Sequence, residues 1–159
     1  MKAIAIVLIA VISGTAPGVS GQSEAPNDLA LFLDADCPAD TVDTESGTFT
    51  RRVWDRGVTT VRVAFDGGRR AALWRLIEAA RLFDYPAEFA PRFDGGFSVP
   101  FPHYTIRVRA NGRRHTVRWG AVAVPNAEAE RLGRFIQAAY EVFRSDPAVR
   151  ALSSAAPCM

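Results

Sequence analysis

Arg107, Arg109, Arg114 and Arg118 stand on either side of Asn111-Gly112 within the run from Tyr104 to Trp119. A guanidinium is a permanently charged planar fork that matches the oxygens of a carboxylate or a phosphate. Four on one surface, extended by Arg62, would suit an anionic glycan, a phosphate group or an acidic protein. Two plainer readings stand beside this one. A sheet often wears charge on its solvent side, and the acidic residues upstream could dock on the same arginines within the molecule.

A second candidate surface is aromatic. Phe83, Tyr85, Phe89, Phe93, Phe97, Phe101 and Tyr104 place seven of the sixteen aromatics within 22 residues. Pro86, Pro91, Pro100 and Pro102, with Gly95-Gly96, forbid a continuous helix there. Exposed, the segment would form a large apolar patch suited to a protein partner or to stacking on sugar rings. Folded back, it would cover the end of a sheet. The favoured arrangement is packed, with Phe97 and Phe101 as the exposed tips beside Gly96 and Pro100.

Catalytic residue types are sparse. His103 and His115 are the only histidines, and neither has a cysteine or carboxylate at ligand spacing. The hairpin register below puts them on opposite faces, with His115 a half-buried packing residue. There is no Gly-x-Ser-x-Gly elbow, Walker loop, His-Glu-x-x-His or dinucleotide fingerprint. Asp34, Asp36 and Asp40 suggest a calcium loop, but Pro38 and Ala39 occupy its fifth and sixth positions and break the pattern. Glu128 and Glu130 fall in the first turns of a helix, where the dipole favours acids. No catalytic residue, metal or cofactor is expected.

The elements that would position these residues follow from pattern. Thr48–Trp54 and Val58–Phe65, joined by Asp55-Arg56-Gly57, read as a hairpin. Asp66 caps a helix that Leu73, Leu76, Ile77 and Ala80 carry to about Phe83. Asn111-Gly112 is a two-residue type I′ turn. It sets Val108 against His115, Ile106 against Val117 and Tyr104 against Trp119, with the four arginines on the other face. A last helix runs from about Asn126 to Arg144 on the stripe Leu132, Phe135, Ile136, Ala139 and Phe143, and Pro147 stops it. The expected fold is α+β in the order ββαββα, an antiparallel sheet of two hairpins with both helices on one face.

The 159 residues suit a single domain at roughly 100–200 residues per domain. Residues 1–21 read as a secretory signal: Lys2, then ten apolar residues from Ala3 to Ile12, then small residues to Gly21. Ten residues make about 15 Å of helix, too short for a bilayer core of about 30 Å. The mature chain is thus expected to be periplasmic or secreted, without a membrane span. Residues 22–47 form an acidic N-terminal segment and 48–159 the α+β domain. Lys2 is the only lysine, and with it removed 18 arginines face 17 acids. That near-balance argues against a nucleic-acid partner. In an oxidising compartment Cys37 and Cys158 read as one disulfide closing the domain.

Thr44-Glu45-Ser46-Gly47, Leu82-Phe83-Asp84-Tyr85-Pro86, Tyr104-Thr105-Ile106-Arg107-Val108 and Thr116-Val117-Arg118-Trp119 resemble small exported α+β domains of bacteria. The resemblance spans roughly residues 43–158, and implies a single exported domain with no activity attached. The expected function is a non-enzymatic binding or interaction domain of the bacterial cell envelope, its partner an envelope protein or an anionic glycan. The alternatives are an anionic glycan-binding module and a small hydrolase-like enzyme whose site has no recognisable motif.

Overall fold

Asn111 and Gly112 adopt φ angles of 52° and 72°, the left-handed pair that a type I′ turn requires. The computed structural model describes residues 23–36, 40–53, 57–90, 102–120 and 126–155. This turn joins strands His103–Ala110 and Arg113–Gly120, with Val108 opposite His115, Ile106 opposite Val117 and Tyr104 opposite Trp119. Turn chemistry and apolar alternation demand the same register, and that register forms.

In chain order the strands are β1 (Ala30–Ala35), β2 (Asp40–Asp43), β3 (Thr48–Val53), β4 (Gly57–Arg62), β5 (Glu88–Phe89), β6 (His103–Ala110) and β7 (Arg113–Gly120). The helices are α1 (Gly67–Ala80), α2 (Ala127–Arg144) and the short α3 (Pro147–Arg150). The fold is α+β, but the ββαββα order needs correction. The acidic segment supplies two further strands, and β1 sits at the centre of a seven-stranded sheet ordered β4-β3-β2-β1-β6-β7-β5. The sheet is mixed, because β5 runs parallel to β7 while the other neighbours are antiparallel. The cause is the apolar run Leu29–Leu33. β1 joins the β3–β4 and β6–β7 hairpins into one sheet by pairing with β2 on one side and β6 on the other.

One row of side chains crosses five strands: Phe49, Val42, Leu33, Ile106 and Val117, each no more than 1% exposed. Leu73, Trp74 and Ile77 of α1 and Leu132, Phe135, Ile136 and Phe143 of α2 complete the same core. Side chains of the alternate parity, including Phe32, Asp34, Thr105, Arg107 and Arg118, point to the opposite face. Antiparallel strands tolerate this, since one pleat face can be packed and the other left to water.

The helix limits have local causes. The Asp66 carboxylate accepts from the Arg69 amide at 2.8 Å, and the Asn126 side chain accepts from Glu128 and Ala129 amides at 2.8 and 3.1 Å. α1 ends at Ala80, earlier than expected, because Arg81 turns left-handed at φ 55°. A single 3₁₀ turn, Leu82–Asp84, then buries Leu82. Pro147 opens α3 after the Asp146 cap, as proline can at a first helical position.

The signal segment, Cys37, Cys158, and the aromatic tips Phe97 and Phe101 lie outside the described residues, and no disulfide is found among those described. No helix among the described residues is long and apolar enough to cross a membrane.

Candidate functional site

The open sheet face carries a groove of about 420 Å³ over the centre of the sheet, at the end nearest the Asn111-Gly112 turn. Its floor comes from Ala30 and Phe32 of β1, and its sides include Arg107 of β6, Arg114 and Thr116 of β7, and Asp43 and Glu45 from the end of β2. Strand parity puts Phe32 and Arg107 side by side as a cross-strand pair. The Arg107 guanidinium carbon lies 3.8 Å from the Phe32 ring centroid, a cation–π stack that fixes the plane of the fork. Arg109 stands directly opposite Arg114.

The three arginines of the groove are not equivalent. Arg109 is held by Glu45 at 2.7 Å and by the Asp28 carbonyl at 3.2 Å. Arg107 and Arg114 have no carboxylate partner among the described residues. Asp43, also in the groove lining, is engaged with its own turn, accepting from the Glu45 and Ser46 amides at 3.0 and 3.4 Å. Two unpaired guanidiniums therefore share one concavity.

Of the sequence candidates, Arg107, Arg109 and Arg114 come together here. Arg118 shares the face but sits further along β7, paired with Glu88 of β5 at 2.7 Å. Arg62 lies on the far hairpin, donating to the Ser46 carbonyl at 3.0 Å. Tyr85, Phe89 and Tyr104 of the aromatic segment are buried: Phe89 and Tyr104 pack on Trp119 with ring centroids 6.2 and 5.6 Å away, and Tyr85 packs edge-on against Phe89 at 5.1 Å. Phe83 is partly buried against His115. His115 is a packing residue, its Nε2 2.9 Å from the Tyr85 carbonyl.

Three arrangements had no local signal. Phe32 reads as one more member of an apolar run, yet it is the platform for Arg107. Asp36 comes within 3.0 Å of His103 Nδ1 across 67 residues of chain. The two side chains are 73% and 56% exposed, so water surrounds the pair and no enclosed catalytic cleft forms. The third is Asp40, which is fully buried. Its oxygens accept from Arg51 at 2.8 Å twice and from Arg144 at 3.1 Å. Tyr140 donates to the Asp40 carbonyl at 2.8 Å. Burial pushes the Tyr140 hydroxyl far above the usual tyrosine range, and Asp40 adds to this. The hydrogen bond to Asp40 raises Arg51 in turn.

The acidic segment thus docks on the domain at several points. Asp28 accepts from the Asn111 and Gly112 amides at 2.8 and 2.7 Å. The Gly112 amide is the main reason its carboxyl lies below the ordinary carboxylate range. No group of three or more metal-ligating side chains occurs among the described residues. A second concavity of about 310 Å³, between α1 and α2, is lined by Leu76, three alanines and Phe135. Its arginines are engaged: Arg131 with the Ala80 carbonyl at 3.0 Å, and Arg134 with Glu130 at 3.7 Å. No family model, curated protein or solved structure matches the chain.

Proposed function

We propose that this is an exported, non-enzymatic binding domain of the bacterial cell envelope, and that it takes an anionic partner in the groove between Arg107 and Arg114. The observation that carries the reading is the Arg107–Phe32 stack at 3.8 Å. It holds a guanidinium in a fixed plane, without a carboxylate, beside a second unpaired guanidinium in the same concavity. Preorganised forks lose little freedom on binding an anion. A signal at residues 1–21 and a Cys37–Cys158 bridge belong to the same proposal.

The test is a nitrogen-15 NMR titration of the purified protein at fixed ionic strength with polyglutamate and with inorganic phosphate. The Nε–Hε signals of Arg107 and Arg114 are expected to move first and to saturate with at least one probe. The double variant Arg107→Gln/Arg114→Gln is expected to lose the response. Movement spread evenly over all surface arginines, or none, overturns the reading.

A further inference from the structure

We infer that the anionic group this groove accepts is a phosphate, held between Arg107 and Arg114, with Glu45 its built-in competitor; the inference rests on the reading above. The groove already contains one carboxylate–guanidinium pair, Glu45 on Arg109 at 2.7 Å. One planar carboxylate satisfies one planar fork. What remains is different: Arg107 and Arg114 rise from neighbouring strands as diagonal neighbours, since Arg107 faces Thr116 and Arg109 faces Arg114. Such positions lie about 7–8 Å apart at the backbone, within reach of long side chains.

Arg107 and Arg114 line the same groove from neighbouring strands, and a single acceptor for both must carry more than one charge and oxygens that are not coplanar. A tetrahedral phosphate meets both conditions, offering one oxygen edge to each guanidinium and a further oxygen to the Thr116 hydroxyl in the groove wall. The charge balance agrees. Arg109 and Arg114 face each other, and like charges directly opposite on a ladder repel. Glu45 offsets that repulsion on the Arg109 side only. A dianion beside Arg114 completes the neutralisation, yet lies close enough to feel the Glu45 charge. Glu45 is 61% exposed, free to swing into water when an anion enters.

The same chemistry is carried by free phosphate and by a phosphorylated lipid headgroup, so the experiment has two arms. In the first, isothermal titration at constant ionic strength compares inorganic phosphate with acetate. In the second, sedimentation measures binding to vesicles of phosphatidic acid, whose headgroup is a phosphate monoester, against phosphatidylcholine. Phosphate or phosphatidic acid is expected to bind, and acetate to bind at least about ten-fold more weakly, since it engages only one fork. Glu45→Gln is expected to tighten phosphate by about two- to five-fold, the equivalent of an exposed ion pair. Arg114→Ser is expected to weaken it at least about ten-fold. Arg118→Gln, outside the groove, leaves binding unchanged.

Binding of free phosphate alone assigns a soluble ligand, and binding of the charged vesicles assigns a headgroup; both sustain the inference. Acetate binding as tightly as phosphate, or Glu45→Gln leaving affinity unchanged or weaker, overturns it while the anion-binding reading stands. Failure of every probe, including polyglutamate, overturns both. All three substituted residues are exposed or at a strand end, and an unchanged circular dichroism spectrum checks that each variant folds.

Discussion

Arg109 and Arg114 occupy directly opposed positions on the β6–β7 ladder, with their side chains on the same open face. Cross-strand neighbours of like charge are destabilising, typically by about 0.2–1 kcal/mol. Among the described residues, only Arg109 of the two has a compensating carboxylate. Arg114→Ser is therefore expected to raise the stability of the ligand-free protein by an amount in that range while it impairs anion binding. Urea denaturation of both proteins in an anion-poor buffer reads the first effect. A destabilised Arg114→Ser protein would mean that Arg114 has a structural partner and the groove is no prepared site.

Asp40 lies fully buried between Arg51 and Arg144, whose side chains are 13% and 26% exposed. Removing one member of a buried ion cluster strands the others, which costs about 3–5 kcal/mol. Asp40→Ala is expected to be that severe. Arg51→Met is expected to cost less, because Arg144 still neutralises the carboxylate. Arg144→Met is expected to be mildest, since its Nε has no hydrogen-bond partner. Tyr140→Phe removes one hydrogen bond to the Asp40 carbonyl and should cost about 1 kcal/mol. Chemical denaturation of the four variants gives the order. Asp40→Ala costing less stability than Arg144→Met would show that the cluster is held by packing and not by charge.

The β6–β7 hairpin and the cap of α1 were legible because their signals are local: Asn-Gly for the turn and Asp66 for the cap. β1 reads from the sequence only as an apolar run, Leu29–Leu33, that suits a short strand or a helix packed on the domain, for a physical reason. Its clean alternation is spoiled by Phe32, which faces the open side and is covered there by Arg107 instead of by the core. β5 is a two-residue strand whose partner, β7, lies 30 residues away in sequence. Asp40 has the same sequence character as the exposed Asp36 near it. Its burial follows only once β2 is laid against β3 and Arg51 becomes its neighbour. At the site, the alternation rule placed the arginines on one face correctly, but it could not separate the paired Arg118 from the unpaired Arg107. That difference depends on Glu88, which only the fold brings alongside.

Asp28 ties the acidic segment to the β6–β7 turn through the Gly112 and Asn111 amides, and these bonds hold its pKa below the ordinary value of 3.8. A carboxyl whose folded value is depressed contributes stability above its unfolded value and loses it as pH falls through the folded one. Its contribution is thus complete at neutral pH and fades only below about 4. Asp28→Asn is expected to lower the melting temperature at pH 7 and to shrink that difference towards pH 2. Melting curves across this range test it. A difference that stays constant with pH would show that the charge of Asp28 contributes nothing.

Val53 pairs with Gly57 on one side and is bridged by Ala155 on the other. The C-terminal tail therefore enters on the side of β3 that β2 occupies as far as Asp40. Three residues lead from Ala155 to Cys158, and three from Asp40 back to Cys37. The described ends of both stretches, Asp40 and Ala155, lie beside β3, and the proposed Cys37–Cys158 bridge is open to a direct test. In protein recovered from an oxidising compartment, mass spectrometry is expected to find a Cys37–Cys158 peptide and no alkylatable thiol before reduction. Reduction is expected to cost about 2–5 kcal/mol of stability. Two freely alkylated cysteines in protein recovered in that way would remove the bridge, leaving the Val53–Ala155 contact to hold the tail.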